Sequence, residues 1–184
     1  MTTPAAPVRV LFVCTANQVR SPYAEAVARR LVSERGLPVE LASAGFLDGG
    51  LPAFDEMAEI ARERGLDLSA HRSRRVTARL LEPADLVVAM TGRHVLDLVA
   101  LDPNAVTRVL TLRELAAACE ENPPRWEPGA VREWAVAPTS RYLTVLLGGD
   151  LDVDDPAGGS LRGYRRVADQ IDRLVTAAFG SPSG

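Results

Sequence analysis

The stretch that decides the fold is Val10-Leu-Phe-Val-Cys14-Thr-Ala-Asn-Gln-Val-Arg20-Ser-Pro22. Its first half is an apolar run that reads as a buried strand, extended back to Val8. From Tyr23, residues Ala24, Val27, Ala28, Leu31 and Val32 recur at helical spacing, with Glu25, Arg29 and Arg30 on the other faces. Ser21 suits a cap or a bond to the loop, and Pro22 suits a first helical turn, where its missing N–H costs nothing. Cys14 to Ser21 therefore form a loop between a strand and a helix N-terminus. Such a loop turns several backbone N–H groups inward, with the positive end of the helix dipole behind them, and fits a tetrahedral oxyanion.

A lone cysteine at a strand end is most often a small buried hydrophobe. Here the neighbourhood points to a nucleophile, because the field that attracts an anion also favours a thiolate. Arg20, six residues on, can fold back and grip two oxygens of one phosphoryl group with its planar guanidinium. Thr15, Ala16, Asn17, Gln18, Val19 and Ser21 complete the expected substrate-binding loop, and Ser21 is placed to donate to the Cys14 sulfur.

Length and charge narrow the class. The 184 residues fit one domain with a full core, and 21 basic against 24 acidic side chains give a net charge of −3. That balance offers no electrostatic reason to expect nucleic acid or an acidic membrane surface as partner. No apolar run is long enough to span a bilayer. Two cysteines are too few for a disulfide framework, and Met1 to Pro7 lack the pattern of a secretory leader, so a reduced, cytoplasmic protein is expected.

Short apolar runs alternate with amphipathic segments. Strands are expected near 8–13, 38–43, 85–90 and 107–110, and helices near 22–35, 53–64, 74–81, 92–100, 112–120 and 159–179. This alternation predicts a single-domain α/β fold of three layers, a central parallel four-stranded sheet with helices on both faces. Ligands of such sheets sit beyond the carboxyl ends of the strands, where Cys14, Ser43 and Met90 all fall. The stretch 120–149, with Pro123, Pro124, Trp126, Pro128, Trp134 and Pro138, reads as an ordered surface excursion, either a packing flap or a lid or partner-binding surface beside the site.

A phosphoryl leaving group needs a proton as its bond breaks. Asp155 is the best candidate acid, since Pro156 restrains its backbone and it lies in a run with Asp150, Asp152 and Asp154 whose like charges disfavour ionisation. Asp154 is the reserve. His71 is expected to bond to the loop in a structural role, and His94 to lie on a helix surface.

The run from Val10 to Glu25 resembles the active-site segment of the low-molecular-weight protein-tyrosine phosphatases. The likeness continues through Ser43-Ala-Gly45, His71-Arg-Ser-Arg74, Ala84-Asp-Leu-Val-Val-Ala-Met90 and Asp155-Pro156, in that family's order. The resemblance implies a phosphatase working through a phosphocysteine, with Cys14 as nucleophile, Arg20 on the phosphoryl oxygens and Asp155 as acid, without metal or cofactor. Its substrate would be a phosphorylated protein or a small phosphomonoester. Phosphotyrosine is the first expectation, but Asp155-Pro156 is followed by Ala157-Gly-Gly-Ser160 where tyrosine phosphatases carry aromatic rings. That segment is similar to the protein-arginine phosphatase branch, although Gln18 stands where that branch has threonine. Ala16 replaces a common glycine, and Val19 a common second cysteine. An arsenate reductase drawing on an external thiol and a phosphate-binding module with weak catalysis are the alternative readings. Internal resolution would fall to Cys119, which reads as a packing residue.

Overall fold

The computed structural model describes residues 6–135 and 150–180. Four parallel strands, β1 (Val8–Cys14), β2 (Val39–Gly45), β3 (Leu86–Ala89) and β4 (Val109–Thr111), form one sheet in the order β2-β1-β3-β4. Strand β1 lies between β2 and β3, with Cys14 opposite Gly45 and Val13 opposite Ala89. The predicted sheet is therefore present, and β1 runs one residue further than expected, so that Cys14 is its last residue.

Because both sheet faces are covered, β1 and β3 are apolar on both sides, and the pleat sends alternate residues to different cores. Val10, Phe12, Leu86, Val88 and Leu110 pack with helices α1 (Arg20–Arg35), α5 (Leu112–Glu121) and α7 (Leu161–Phe179). Leu11, Val13, Val87, Ala89 and Val109 face α3 (Ala78–Leu81) and α4 (Gly92–Leu101) through Leu81, Val95 and Leu98. Helix α2 (Asp55–Glu63) joins the first core by Met57 and Ile60. Helix α7 buries Tyr164, Val167, Ala168, Ile171 and Val175 as one stripe, and Ser160 caps it by accepting from the Gly163 N–H at 3.3 Å.

Most other boundaries shift by one or two residues, β2 for instance running on to Gly45, and three departures bear on the site and the sheet. Helix α1 starts at Arg20, not at residue 22, and no side chain caps it. The helix expected over 74–81 is only Ala78–Leu81, because the backbone of 74–76 is committed to the sheet end: Gly45 N–H donates to Arg74 O at 2.9 Å and Val76 N–H to Gly45 O at 2.6 Å. The chain before β4 is a 3-10 helix, Pro103–Thr107, and the strand shifts to Val109–Thr111.

The described part of the 120–149 excursion packs on the body of the protein. Trp126 is 6% exposed and stacks on Phe179 with ring centroids 4.8 Å apart. Helix α6 (Pro128–Ala135) follows, and its Arg132 Nε donates to the buried Asp85 carboxylate at 2.6 Å. Pro138 and the remainder of the excursion, 136–149, lie outside the described residues. Trp126→Ala should destabilise the protein by about 3–5 kcal/mol, the usual cost of emptying a buried aromatic site, measured by urea unfolding.

Candidate active site

The backbone turns sharply after Cys14. Asn17 carries it through the left-handed region at φ 54°, a conformation that asparagine tolerates better than most residues. Its fully buried side chain then bonds in three directions. Nδ2 donates to Ser21 Oγ at 3.0 Å and to Ser43 Oγ at 2.9 Å, while Oδ1 accepts from the Arg74 N–H at 2.9 Å. From outside, His71 Nε2 donates to the Asn17 carbonyl at 2.6 Å. The loop is thus pinned to β2 and to the 71–74 segment, leaving no described acceptor for the backbone N–H groups of Ala16, Asn17, Gln18 and Val19. Donors of that kind are what an anion nest requires.

Glycine at position 45 is a steric condition of this turn. A Cβ there would lie 2.6 Å from Asn17 N and 2.7 Å from Thr15 O. Ser43-Ala44-Gly45 is a landmark in the sequence, but spacing along the chain does not report this contact. Thr15 O also accepts from the Phe46 N–H at 2.7 Å, which carries the loop's hydrogen bonding into the chain after β2.

Cys14 is buried with its Sγ 3.0 Å from Ser21 Oγ. The Ser21 hydroxyl already accepts from Asn17, so its one proton is available to the sulfur, with Ala44 O a more distant acceptor at 3.3 Å. Arg20 is 3% exposed and its guanidinium faces three partners. Nη1 donates to Val153 O at 3.0 Å, and Nη2 donates to Thr15 Oγ1 at 3.2 Å and to Asp155 Oδ2 at 2.5 Å. Residues 135 positions apart in the chain meet here.

The loop bearing Asp155 is held from several sides. Val153 is buried and its N–H donates to Met90 O at 2.8 Å, just past the end of β3. Asp152 Oδ1 accepts from the Gly92 N–H at 2.8 Å at the start of α4, and Arg113 Nε donates to Asp152 O at 2.8 Å. Asp155 Oδ1 accepts from the Ala157 N–H at 3.1 Å, leaving its side chain 45% exposed. Asp154 makes no described hydrogen bond or ion pair, whereas Asp155 reaches Arg20.

Gln18 turns away from the sulfur, its Nε2 donating to Pro52 O at 2.9 Å. His94 is not the surface residue expected: it is 6% exposed, stacked on Phe46 with centroids 5.5 Å apart, and its Nε2 lies 3.0 Å from Thr15 Oγ1. Thr91 Oγ1 accepts from the His94 N–H at 3.1 Å and fixes the first turn of α4, but a cap of this kind carries no signal of the histidine's burial. Burial, with Arg20 nearby, lowers the His94 pKa from 6.5 to about 4. Cys119 lies buried in α5, where desolvation pushes its thiol up to about 12, a poor state for a resolving nucleophile. Among the described residues no group of three His, Cys, Asp or Glu side chains could hold a metal, and no helix is long and apolar enough to cross a membrane.

Gly45→Ala should weaken inorganic phosphate binding and lower the melting temperature together, since the added methyl must displace the Thr15–Asn17 backbone. Asn17→Ala should cost about 3 kcal/mol in urea unfolding, from an unpaired Arg74 N–H and a strained alanine. For His94 the folded protein keeps the ring neutral where the unfolded chain protonates, so stability falls as pH drops from 6.5 towards about 4. The loss is about 3 kcal/mol at most. His94→Phe should remove that share of the difference in unfolding free energy between pH 7 and pH 4.5.

Comparison with known proteins identifies the family of the chain. Residues 9–124 match the model of the family described as low molecular weight phosphotyrosine protein phosphatase. The chain is 31% identical to a protein-arginine-phosphatase of Bacillus subtilis, over 90% of this chain and 91% of that one. It is 30% identical to a low molecular weight protein-tyrosine-phosphatase of Streptomyces coelicolor, over 94% and 92% respectively. Among solved structures, a YwlE mutant from Bacillus subtilis superposes with a TM-score of 0.72 at 28% identity, covering 94% of this chain and 97% of that chain. A strand-end cysteine, an arginine closing its loop and an aspartate brought to that arginine are thus found in a chain that belongs to the low molecular weight phosphotyrosine protein phosphatase family, whose members are cysteine-dependent phosphatases.

Proposed function

We propose that this phosphatase hydrolyses phosphorylated protein side chains at Cys14, with Arg20 and Asp155 as its partners. The observation that carries the reading is the Arg20–Asp155 contact at 2.5 Å, which brings the acid from the far end of the chain to the guanidinium of the cysteine loop. The Cys14 thiolate, held by the Ser21 hydroxyl, attacks phosphorus in line while Asp155 gives its proton to the departing atom. The P–O or P–N bond breaks and an S–P bond forms. Asp155 then takes a proton from water, whose oxygen displaces the sulfur and releases phosphate. Arg20 and the N–H groups of Ala16 to Val19 hold the equatorial oxygens through both steps, and Thr15 and Ser21 hold Arg20 and Cys14 in turn.

Phosphotyrosine is the substrate the family description names, and one specific observation favours phosphoarginine as a second reading. The acid loop continues from Pro156 into Ala157-Gly158-Gly159, with Ala157 exposed, so it offers no ring against which a phenyl group could stack. The relative named protein-arginine-phosphatase is similar over nearly the whole chain. A cytoplasmic location suits a thiol that must stay reduced between turnovers.

Purified protein is expected to release phosphate from p-nitrophenyl phosphate, with turnover abolished in Cys14→Ser. In Asp155→Asn the rate should fall by about two to four orders of magnitude. Inhibition by inorganic phosphate should be retained in that variant or become tighter, because the neutral amide competes less for Arg20. An undiminished rate in Asp155→Asn would move the acid to Asp154 or elsewhere. Phosphotyrosine and phosphoarginine peptides assayed side by side decide the leaving group, and thiol-dependent arsenate turnover without phosphate release would replace the phosphatase reading altogether.

A further inference from the structure

His94 takes no part in the two-step chemistry, yet it is buried beside the arginine that binds the oxygens. Its Nε2 lies 3.0 Å from Thr15 Oγ1, and Arg20 Nη2 donates to the same hydroxyl at 3.2 Å. Arginine can only donate, so the Thr15 hydroxyl oxygen accepts from Arg20 and keeps its proton and a second lone pair for the hydrogen bond with Nε2. Among the described residues Nδ1 has no hydrogen-bond partner. A phenylalanine would stack on Phe46 as well and bury no unpaired nitrogen, so packing alone does not account for a histidine here.

We propose that His94 is a positioning residue, whose Nε2 holds the Thr15 hydroxyl against Arg20 and so fixes the guanidinium in its phosphate-binding direction. This rests on the reading of the Cys14 loop as a phosphate site. The line His94–Thr15–Arg20 joins the first turn of α4 to the loop and then to the anion-binding group. With the ring replaced by an apolar one, Thr15 is free to rotate and Arg20 loses one of its three described partners.

The test is calorimetric titration of the purified full chain with inorganic phosphate, a readout that does not require turnover. His94→Phe and Thr15→Val should each weaken binding about five- to tenfold, the effect of one ordinary hydrogen bond. The double variant should bind no more weakly than either single one, because both remove the same link. His94→Gln, long enough to reach the Nε2 position, should stay within about threefold of the parent, and the shorter His94→Asn should lose as much as His94→Phe. Parent-like binding by folded His94→Phe, or losses that multiply in the double variant, would overturn the proposal. Should His94→Phe not fold, the Gln and Asn variants decide, and equal affinities for the two would also overturn it. A parent protein that binds no phosphate removes the phosphate-site reading itself, whereas a binding parent with unaffected variants removes only the role of His94.

Discussion

The carboxamide of Asn17 is the constraint from which the site follows. A phosphate loop must turn its amides inward, which means that the chain cannot satisfy them with its own carbonyls and needs other bonds to keep its shape. Asn17 supplies these from a single buried side chain, with two donors spent on Ser21 and Ser43 and its acceptor on Arg74 N–H. Each bond has a separate consequence. The first orients the hydroxyl that faces the Cys14 sulfur, the second ties the loop to β2, and the third draws in the segment whose backbone closes on Gly45.

The sheet explains why elements so distant in sequence can meet. Parallel strands end on one rim, so the loops after β1, β2 and β3 are neighbours by construction. The loop bearing Asp155 joins that rim through Met90, Gly92 and Arg113 as well as Arg20. Its position is therefore set by bonds to three elements, and Asp155 does not depend on the Arg20 contact alone for its place.

Much of this was legible in the sequence because it rests on local rules. The apolar run ending at Cys14, the helical spacing after Tyr23 and the β-α alternation depend on near neighbours, and the strands were found to within about two residues. What escaped depends on contacts across the rim. Residues 74–76 have helical composition, yet their backbone groups are claimed by Gly45, and no local pattern reports such a claim. His94 stands in the first turn of an amphipathic helix, where a surface position is the ordinary outcome. Its burial involves Thr15 and Phe46, which arrive from distant parts of the chain. Gly45 belongs to a recognisable motif, but its necessity is a distance to another strand's loop, which spacing along the chain cannot express.

Arg20 is the place where these cross-rim contacts converge, and its chemistry suggests how phosphate would enter. A guanidinium holds several donors in fixed directions in one plane, so it can keep Val153 O on one nitrogen while the other serves Thr15 and Asp155. A lysine ammonium at this position would have no such fixed division. Of the three partners, Asp155 is the charged one and its side chain is 45% exposed, whereas Val153 and its bond to Arg20 are buried. A phosphoryl oxygen arriving from solvent therefore competes most directly for the Asp155 contact, leaving the guanidinium oriented by the other two. In the proposed mechanism that exchange does two things at once. It transfers Arg20 to the developing phosphoryl charge, and it leaves the displaced carboxyl group beside the atom that must be protonated.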